Sequence, residues 1–234
     1  MKKVSISWSG GKDSALALDY ILEENRYEVD SIHTTFDSTS RKVNMHGISE
    51  ALIEKQAQMM EIPLVKIYIP KHSPNDKYRS IMYKFLKDLK HRGINGIVYG
   101  DIFLEDLKNF RINLVQPFGI EPIFPLWQME SLALIERMQQ RKIRSKICSI
   151  NTQFLEMDIL GEDLDRSIVS NFSKNVDPCG ERGEYHSFVY EAPFFEQSLK
   201  PIILGKQIKK YPMQIQGNLK CEYELGLLRM CISD

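Results

Sequence analysis

Hydrophobic positions in the first 125 residues switch repeatedly between the alternating period of a strand and the three-to-four-residue period of a helix. The strand-like runs are residues 4–8, 29–36, 64–69 and 96–100, and the helix-like runs are residues 14–24, 48–59, 78–89 and 104–112. This alternation predicts βαβ units with right-handed crossovers, and therefore an α/β domain built on a parallel sheet.

The second half of the chain has a different pattern, which is rich in strand-like runs after residue 160. Residues 121–127 contain two prolines and predict a loop or a short strand, whereas residues 129–142 predict a helix. The strand-like runs of this half are residues 146–151, 184–190, 200–204, 211–216 and 221–233. We therefore predict two domains, residues 1–125 and residues 126–234, with the second one smaller and of the α+β class.

Composition excludes several classes of protein. The 31 Lys and Arg residues balance 31 Asp and Glu residues, and since proteins that grip a long polyanion usually carry a basic excess, we expect no stable nucleic-acid partner. No apolar run approaches the roughly 18 residues that span a bilayer, and the N-terminus does not resemble a signal peptide. Cys148, Cys179, Cys221 and Cys231 form no C-x-x-C pair, which favours reduced thiols in a cytoplasmic protein.

Residues 9–14, with the sequence SGGKDS, lie between the first predicted strand and the first predicted helix. Adjacent glycines allow a tight turn with exposed N–H groups, and the helix N-terminus adds a partial positive charge. Lys12 adds a full charge, and Ser9 and Ser14 add hydroxyl donors. The segment does not fit the Walker A spacing. It predicts a phosphate site, the alternative being a glycine turn in which Asp13 or Ser14 caps the helix.

The SGGKDS segment resembles the pyrophosphate-binding loop of the PP-loop ATPases, also called adenine nucleotide alpha hydrolases. The resemblance implies that ATP is the cofactor and is cleaved between its α- and β-phosphates. It also implies that the loop holds the departing pyrophosphate. The residues implied to bind ATP through this loop are Ser9, Gly10, Gly11, Lys12, Asp13 and Ser14.

Four further motifs resemble the diphthine–ammonia ligase family: NMHGI (44–48), YGDIFLEDLKNF (99–110), GIEPIFPLW (119–127) and DPCGERGEYHSFVY (177–190). The family implies a Rossmann-like (HUP-type) first domain and a smaller second domain that completes the cleft. His186 stands where archaeal and eukaryotic members place a glutamate, in a form that resembles a bacterial branch. The resemblance therefore carries over the catalytic class, while the identity of the acid stays open.

By this resemblance the protein is an ATP-dependent ligase that adenylates a carboxylate of a small molecule or a modified residue. An amine or ammonia then attacks the acyl-adenylate, which splits one hard step into two easier ones. Mg²⁺ would neutralise the phosphates. Because the loop begins at Ser9, we expect no preceding glutaminase domain, so the nitrogen comes from free ammonia or from a partner.

Asp101 follows the fourth predicted strand, and ligands of open α/β sheets bind beyond the carboxyl ends of the strands. We expect Asp101 and Asp13 to be catalytic and to hold Mg²⁺; the alternative for Asp101 is a helix cap. Glu105, one turn further on, is either a substrate contact or a solvated helix residue.

Other candidate substrate contacts lie in the remaining motifs. His46 and Gly47 precede the second predicted helix, where a histidine alone is more often a cap or a surface residue. Glu121, beside the proline-rich turn, is equally open to a functional and a structural interpretation. By fold analogy alone, the backbone near His33 and Thr34 contacts the adenine.

Glu184 and His186 stand two positions apart in a predicted strand, which places both side chains on one face. A carboxylate beside an imidazole can transfer protons or bind a substrate, so both are candidate catalytic and substrate-binding residues. The alternative is a surface salt bridge. Gly183 is a candidate substrate-binding residue that is also expected to let its loop turn.

Two other functions stay open. A tRNA-modifying enzyme can use the same loop, although the zero net charge argues against one. An ATP-binding regulator without turnover is the second, and the acidic and histidine positions of the later motifs argue against it. The apolar segment ELGLLRMCIS (224–233) is either core or the interface of a homodimer.

Overall fold

The computed structural model describes residues 1–71, 73–214 and 220–232. The strands of the first sheet are β1 (Lys2–Ser7), β2 (Tyr27–Asp37), β3 (Leu64–Ile69), β4 (Gly96–Val98) and β5 (Glu121–Ile123). The helices among them are α1 (Lys12–Glu23), α2 (Glu50–Met60), α3 (Asn75–His91) and α4 (Glu105–Val115). The second half contains α5 (Ser131–Gln140), β6 (Arg144–Asn151), α6 (Arg166–Ser170), β7 (Tyr185–Glu191), β8 (Pro201–Gln214) and β9 (Lys220–Ile232).

The first sheet is parallel, with the strand order β3-β2-β1-β4-β5. This order confirms the predicted α/β class and its Rossmann-like architecture. The sequence of strands reverses between β1 and β4, which lie side by side. In open α/β sheets, ligands bind in the crevice beyond the carboxyl ends of strands at such a reversal.

Helices cover both faces of this sheet with apolar stripes. Leu16 and Ile21 of α1 belong to the larger core cluster, and Phe85 and Leu89 of α3 belong to a second cluster. Burying one such side chain contributes roughly 1.5–3 kcal/mol of stabilisation. The helical spacing of apolar residues in the sequence thus corresponds to faces that pack on the sheet.

The second sheet is antiparallel, with the order β7-β6-β9-β8. The separate strands predicted at 200–204 and 211–216 are instead parts of one strand, β8, because its backbone pairs with β9 along its described length. Residues 215, 216 and 233 of the predicted strands lie outside the described residues. The short helix α6 was missed, although Asp165 caps it by accepting the Ile168 N–H at 2.8 Å.

Contacts between the two halves are both polar and apolar. Asp19 of α1 is buried, and its carboxylate lies 2.8 Å from both Arg137 Nη2 and Arg141 Nη2, which belong to or follow α5. Leu225 and Leu228 of β9 are also buried, so the apolar C-terminal segment supplies core within the chain. The homodimer and the predicted domain boundary near residue 125 both stay predictions.

Membrane insertion would need a long apolar helix. Over the residues that the structure describes, no helix combines the length and apolar character needed to cross a bilayer.

Candidate active site

The SGGKDS loop connects the carboxyl end of β1 to the first turn of α1, as its position in the sequence predicts. Gly11 precedes α1, and a Cβ atom built on it would lie 2.9 Å from the Ser187 carbonyl oxygen. Only glycine allows the loop and β7 to approach this closely. The hydroxyls of Ser9 and Ser14 lie 3.4 Å apart, and Ser14 donates to the Gly11 carbonyl.

Strand β7 of the second sheet holds this loop in place. The Ser187 hydroxyl accepts the Lys12 backbone N–H at 3.1 Å, and the Val189 N–H donates to the Gly10 carbonyl at 2.9 Å. The buried Gln56 side chain donates to the Gly10 and Val189 carbonyls at 3.0 and 2.6 Å. The C-terminal half is therefore part of the framework of the loop.

The Lys12 side chain is almost fully buried rather than extended toward solvent. Its Nζ lies 2.9 Å from Asp13 Oδ1 and 5.1 Å from the centre of the Tyr185 ring. Burial is the largest influence and lowers the pKa of Lys12, but attraction to Asp13 and the smaller interactions with Tyr185 and Cys179 together outweigh it, so the net shift is upward. Lys12 is therefore a permanent positive charge beneath the loop.

Asp13 and Asp101 lie close together beyond the ends of β1 and β4. A Cβ atom on Gly100 would lie 2.7 Å from the Asp13 carbonyl oxygen, which measures how closely these two segments approach. Asp13 Oδ1 and Asp101 Oδ2 are both buried; the former is ion-paired with Lys12 Nζ, and the latter lies 3.6 Å from Arg111 Nε. Burial raises the pKa of both carboxyls, opposed by Lys12 and Arg111 respectively.

A third carboxylate, Glu181, belongs to this cluster and was missed as a site residue. Its Oε1 accepts the Ile102 N–H at 2.8 Å, which draws the 177–184 segment over the end of β4. Burial, reinforced by the charge of Asp13, raises the pKa of Glu181 to about 7. Its place inside the fourth family motif was the available signal, but spacing alone could not distinguish it from a solvated loop residue.

The raised pKa of Glu181 predicts a pH-dependent stability. Because the folded protein holds this proton to higher pH than the unfolded chain, Glu181 destabilises the fold as pH rises from about 4.5 to about 7. Glu181→Gln keeps the acceptor for Ile102. The unfolding free energy of this variant should therefore increase by about 2–3 kcal/mol relative to that of the native protein as the pH rises across that window.

Urea unfolding at the two ends of the window measures this difference, with exposed Glu156→Gln as the matched control. An equal pH response of Glu181→Gln and the native protein would contradict the assignment.

A cavity of about 200 Å³ opens beside the loop at the carboxyl ends of β1 and β2. Its lining residues are Ser7, Trp8, Ser9, His33, Thr34, Thr35, Val43, Asn44, His46, Tyr78, Met82, Tyr99 and Arg111. His33 Nδ1 lies 2.9 Å from the Ser5 hydroxyl, and Thr34 donates to the Trp8 carbonyl at 2.7 Å. Burial lowers the pKa of His33 to about 3, so this imidazole is a neutral wall residue at pH 7.

His46 and His186 come together although they are distant in sequence. Their rings stack with centroids 4.1 Å apart and an interplanar angle of 22°. Gly47 next to them has a positive φ of 70° and packs on Leu227. Burial and the charge of Lys12 lower the pKa of His186 to about 4, and burial also lowers that of His46.

Glu184 does not form the expected pair with His186. Strand β7 begins after it, and its two carboxylate oxygens accept the backbone N–H groups of Asp177 and Arg182 at 2.9 and 3.0 Å. Glu184 is buried, so it organises the loop that Gly183 turns, with a φ of 88°. The alternative of a surface salt bridge is wrong as well.

Two predicted substrate contacts are exposed. Glu121 begins β5 at the amino edge of the sheet, where it forms an ion pair with Lys2, so the direction of β5 carries it away from the crevice. Glu105 begins α4, the helix that follows β4, and its contact with a substrate stays a prediction.

Cys179 is buried, and its Sγ lies 3.4 Å from the Ser131 carbonyl oxygen. Burial is the main cause that raises its thiol pKa. A thiol that stays protonated at neutral pH is a poor nucleophile.

Two family models match the chain in succession. The model described as diphthamide synthase N-terminal domain matches residues 1–121, and the one described as diphthamide synthase C-terminal domain matches residues 130–223. Together they cover the SGGKDS loop and most of the strands of both sheets.

Similar proteins include the diphthine–ammonia ligase of Homo sapiens, which is 30% identical over 125 residues, 50% of this chain and 46% of the human protein. The ligase of Rattus norvegicus is 24% identical over 220 residues, 84% of this chain and 82% of the rat protein. The chain thus spans just under half of the human relative. With both family models matched, the chain belongs to the diphthine–ammonia ligase family of PP-loop proteins.

Proposed function

We propose that this protein is an ATP-dependent, AMP-forming ligase that adenylates a carboxylate and transfers the acyl group to ammonia. The observation that carries the proposal is the loop itself. Backbone groups at the start of α1, a buried lysine charge and two buried carboxylate oxygens meet at the carboxyl ends of β1 and β4. The relatives are diphthine–ammonia ligases, and this supports the same reaction class.

The loop and the cavity suggest how ATP would bind. N–H groups at a helix N-terminus suit the β- and γ-phosphates, which leave together as pyrophosphate. The cavity between the loop, His33 and Thr34 would take the adenosine, with the backbone of β2 at its edge. Arg111, which also lines it, offers a cation close to Asp101.

Mg²⁺ fits the residues that are present. Asp13 and Asp101 each have a buried carboxylate oxygen beyond the carboxyl ends of β1 and β4, and Mg²⁺ is commonly held by one or two carboxylates together with substrate phosphates. Within the described ranges no group of three or more His, Cys, Asp or Glu side chains could hold a metal alone, which agrees with a metal that arrives with ATP. When bound, the ion would neutralise phosphate charge.

The identity of the acid depends on the second half of the chain. We propose a carboxylate on a small molecule or a modified residue. We do not restrict the proposal to diphthine, because His186 places an imidazole where the archaeal and eukaryotic members of the family have a carboxylate. Free ammonia is the proposed nitrogen source.

The test is a product assay with ATP, Mg²⁺, ammonium and a pooled extract of small acids, in which AMP is resolved from ADP. We expect AMP and pyrophosphate in equal amounts, formed faster when the acids are present. ADP and phosphate would overturn the proposal. ATP binding without AMP across acid pools and candidate protein substrates would instead favour a nucleotide-binding regulator.

A further inference from the structure

Three buried polar side chains form a hydrogen-bonded chain on the face of the first sheet that packs against α3. They are Ser31, Ser5 and His33, which the register of β1 and β2 places on one face of the sheet. The Ser31 hydroxyl donates to Ser5 Oγ at 3.2 Å, and Ser5 Oγ lies 2.9 Å from His33 Nδ1. The His33 ring packs on Phe85 of α3, with ring centres 4.7 Å apart. The chain of hydrogen bonds therefore ends at an imidazole.

The direction of these hydrogen bonds fixes the tautomer of His33. Since Ser5 Oγ accepts the Ser31 hydrogen, its own hydrogen is available to His33 Nδ1, and among the described residues Ser5 Oγ has no third partner. A neutral imidazole carries one hydrogen, so with Nδ1 accepting we assign that hydrogen to Nε2. Apolar side chains would fill these two strand positions without the cost of burying hydroxyls. The two serines are therefore explained by the orientation of the ring rather than by packing.

His33 Nε2 faces the cavity of about 200 Å³ beside the SGGKDS loop. Among the described residues it has no hydrogen-bond partner, yet it is not one of the unpartnered polar atoms that are enclosed by the fold. Because the buried His33 side chain lines that cavity, its N–H is open to a bound molecule. An unpaired donor of a buried side chain at a cavity wall indicates a ligand that carries an acceptor.

The position of this donor favours the base of a nucleotide over its phosphates. Ser9 of the loop lines one end of the cavity, whereas the His33 side chain is hydrogen-bonded within β1, further from the loop. Tyr78, Met82 and Tyr99 also line the cavity, and aromatic and thioether surfaces suit a flat, apolar ring. With the phosphates at the loop, the group that reaches His33 is the adenine, whose ring nitrogens are hydrogen-bond acceptors.

We propose that the side chain of His33, held in the Nε2–H form by Ser5 and Ser31, donates a hydrogen bond to a ring nitrogen of adenine and contributes to selection of the base. This inference rests on the proposed function for the identity of the nucleotide. The two serines are positioning residues, because they act only through the ring. The role differs from a backbone contact near His33, which any side chain at this position would permit.

The test compares ATP with 1-deaza-, 3-deaza- and 7-deaza-ATP, in each of which one ring nitrogen is replaced by C–H. Binding to the intact protein is measured by calorimetry without an acid substrate. We expect at least one analogue to bind about tenfold more weakly than ATP, the loss that corresponds to roughly one hydrogen bond. Equal binding of all four nucleotides would overturn the proposal.

Substitution of His33 assigns that loss to its side chain. His33→Leu should bind ATP about tenfold more weakly and should no longer distinguish the weak analogue from ATP. His33→Gln carries an amide N–H near the position of Nε2 and should recover part of both the affinity and the discrimination. His91→Gln, at the exposed end of α3, is the matched control and should behave like the native protein. If His33→Leu still distinguishes the weak analogue as the native protein does, another group binds that nitrogen and the proposal is wrong.

The tautomer is measured in the native protein, so this part of the test does not depend on the folding of a variant. Side-chain ¹⁵N–¹H correlation spectra distinguish the Nε2–H form of His33 from the Nδ1–H form. We expect the Nε2–H form with and without ATP, and a shift of Nε2 on ATP binding that the weak analogue does not produce. Ser5→Ala should populate both tautomers and reduce the discrimination between ATP and the weak analogue. An Nδ1–H ring in the native protein, or an unchanged tautomer and discrimination in Ser5→Ala, would contradict the proposal.

None of these readouts requires ATP cleavage. A loss of binding that depends on His33, together with no AMP in the product assay, would support the base contact and overturn the ligase. AMP formation together with equal binding of all four nucleotides would do the reverse. The two proposals are therefore distinguished by different measurements.

Discussion

Replacing Asp13 by asparagine should reduce AMP formation by about 10²–10³-fold, the usual loss when a preorganised electrostatic group is removed from an active site. The Asp13 carboxylate is partly buried, and both of its oxygens lie close to the Lys12 ammonium, at 2.9 and 3.0 Å. Asparagine has nearly the same shape but neither the charge that balances Lys12 nor the anionic oxygen that would hold Mg²⁺. The measurement is pyrophosphate release under saturating ATP.

The Asp13 variant also leaves a buried lysine charge less well compensated, which costs several kcal/mol in comparable cases. Its folding must therefore be followed by urea unfolding. Asp101→Asn provides a second variant with a smaller cost in stability, because its partner Arg111 is partly exposed and its charge can be solvated. The rate of AMP formation by this variant should fall about 10²-fold. Asp106→Asn, on an exposed first turn of α4, is the matched control. Native-like rates in both site variants would refute the assignment of these carboxylates.

Glu184→Gln should lower the unfolding free energy by about 2–4 kcal/mol. Each carboxylate oxygen accepts one backbone N–H of the 177–184 loop, from Asp177 and Arg182. An amide has only one acceptor oxygen, so one buried N–H would face another donor, and the charge-assisted bond to the other would weaken. Urea unfolding measures the loss.

Glu191→Gln, at the more exposed end of β7, serves as the control and should change stability by less than about 1 kcal/mol. The comparison also separates two hypotheses for Glu184. A proton-transfer residue would lose activity with its stability intact, whereas a loop-organising residue loses stability first. Unchanged stability together with lost AMP formation would restore the catalytic role inferred from the sequence.

The sequence by itself was sufficient for the elements of the first sheet. Strand β3 was predicted with its observed bounds, 64–69, and the glycine-rich loop was located correctly between β1 and α1. These features depend on local periodicity, on glycine and on the handedness of βαβ connections, all of which are encoded over short distances in the chain. Five ordered motifs likewise identified the family before any contact was known.

Other features were decided only by tertiary structure. Residues two apart in a strand share one face of the sheet, and this spacing predicted that Glu184 and His186 act together. The strand begins one residue after Glu184, however, and the Glu184 carboxylate accepts hydrogen bonds from its own loop. Glu181 became a site residue only when its loop folded over β4. Neither outcome can be derived from spacing, because each depends on which backbone N–H groups the folded chain leaves unpaired beside the carboxylate.

The contacts of the loop show the same division. Periodicity predicted β7 as a strand but not that its Ser187 and Val189 would bind the SGGKDS loop from more than 170 residues away. The stacking of His46 on His186 likewise joins two motifs that the sequence could only name separately. Local sequence determined which groups could do chemistry, and the packing of the second sheet on the first determined which of them meet.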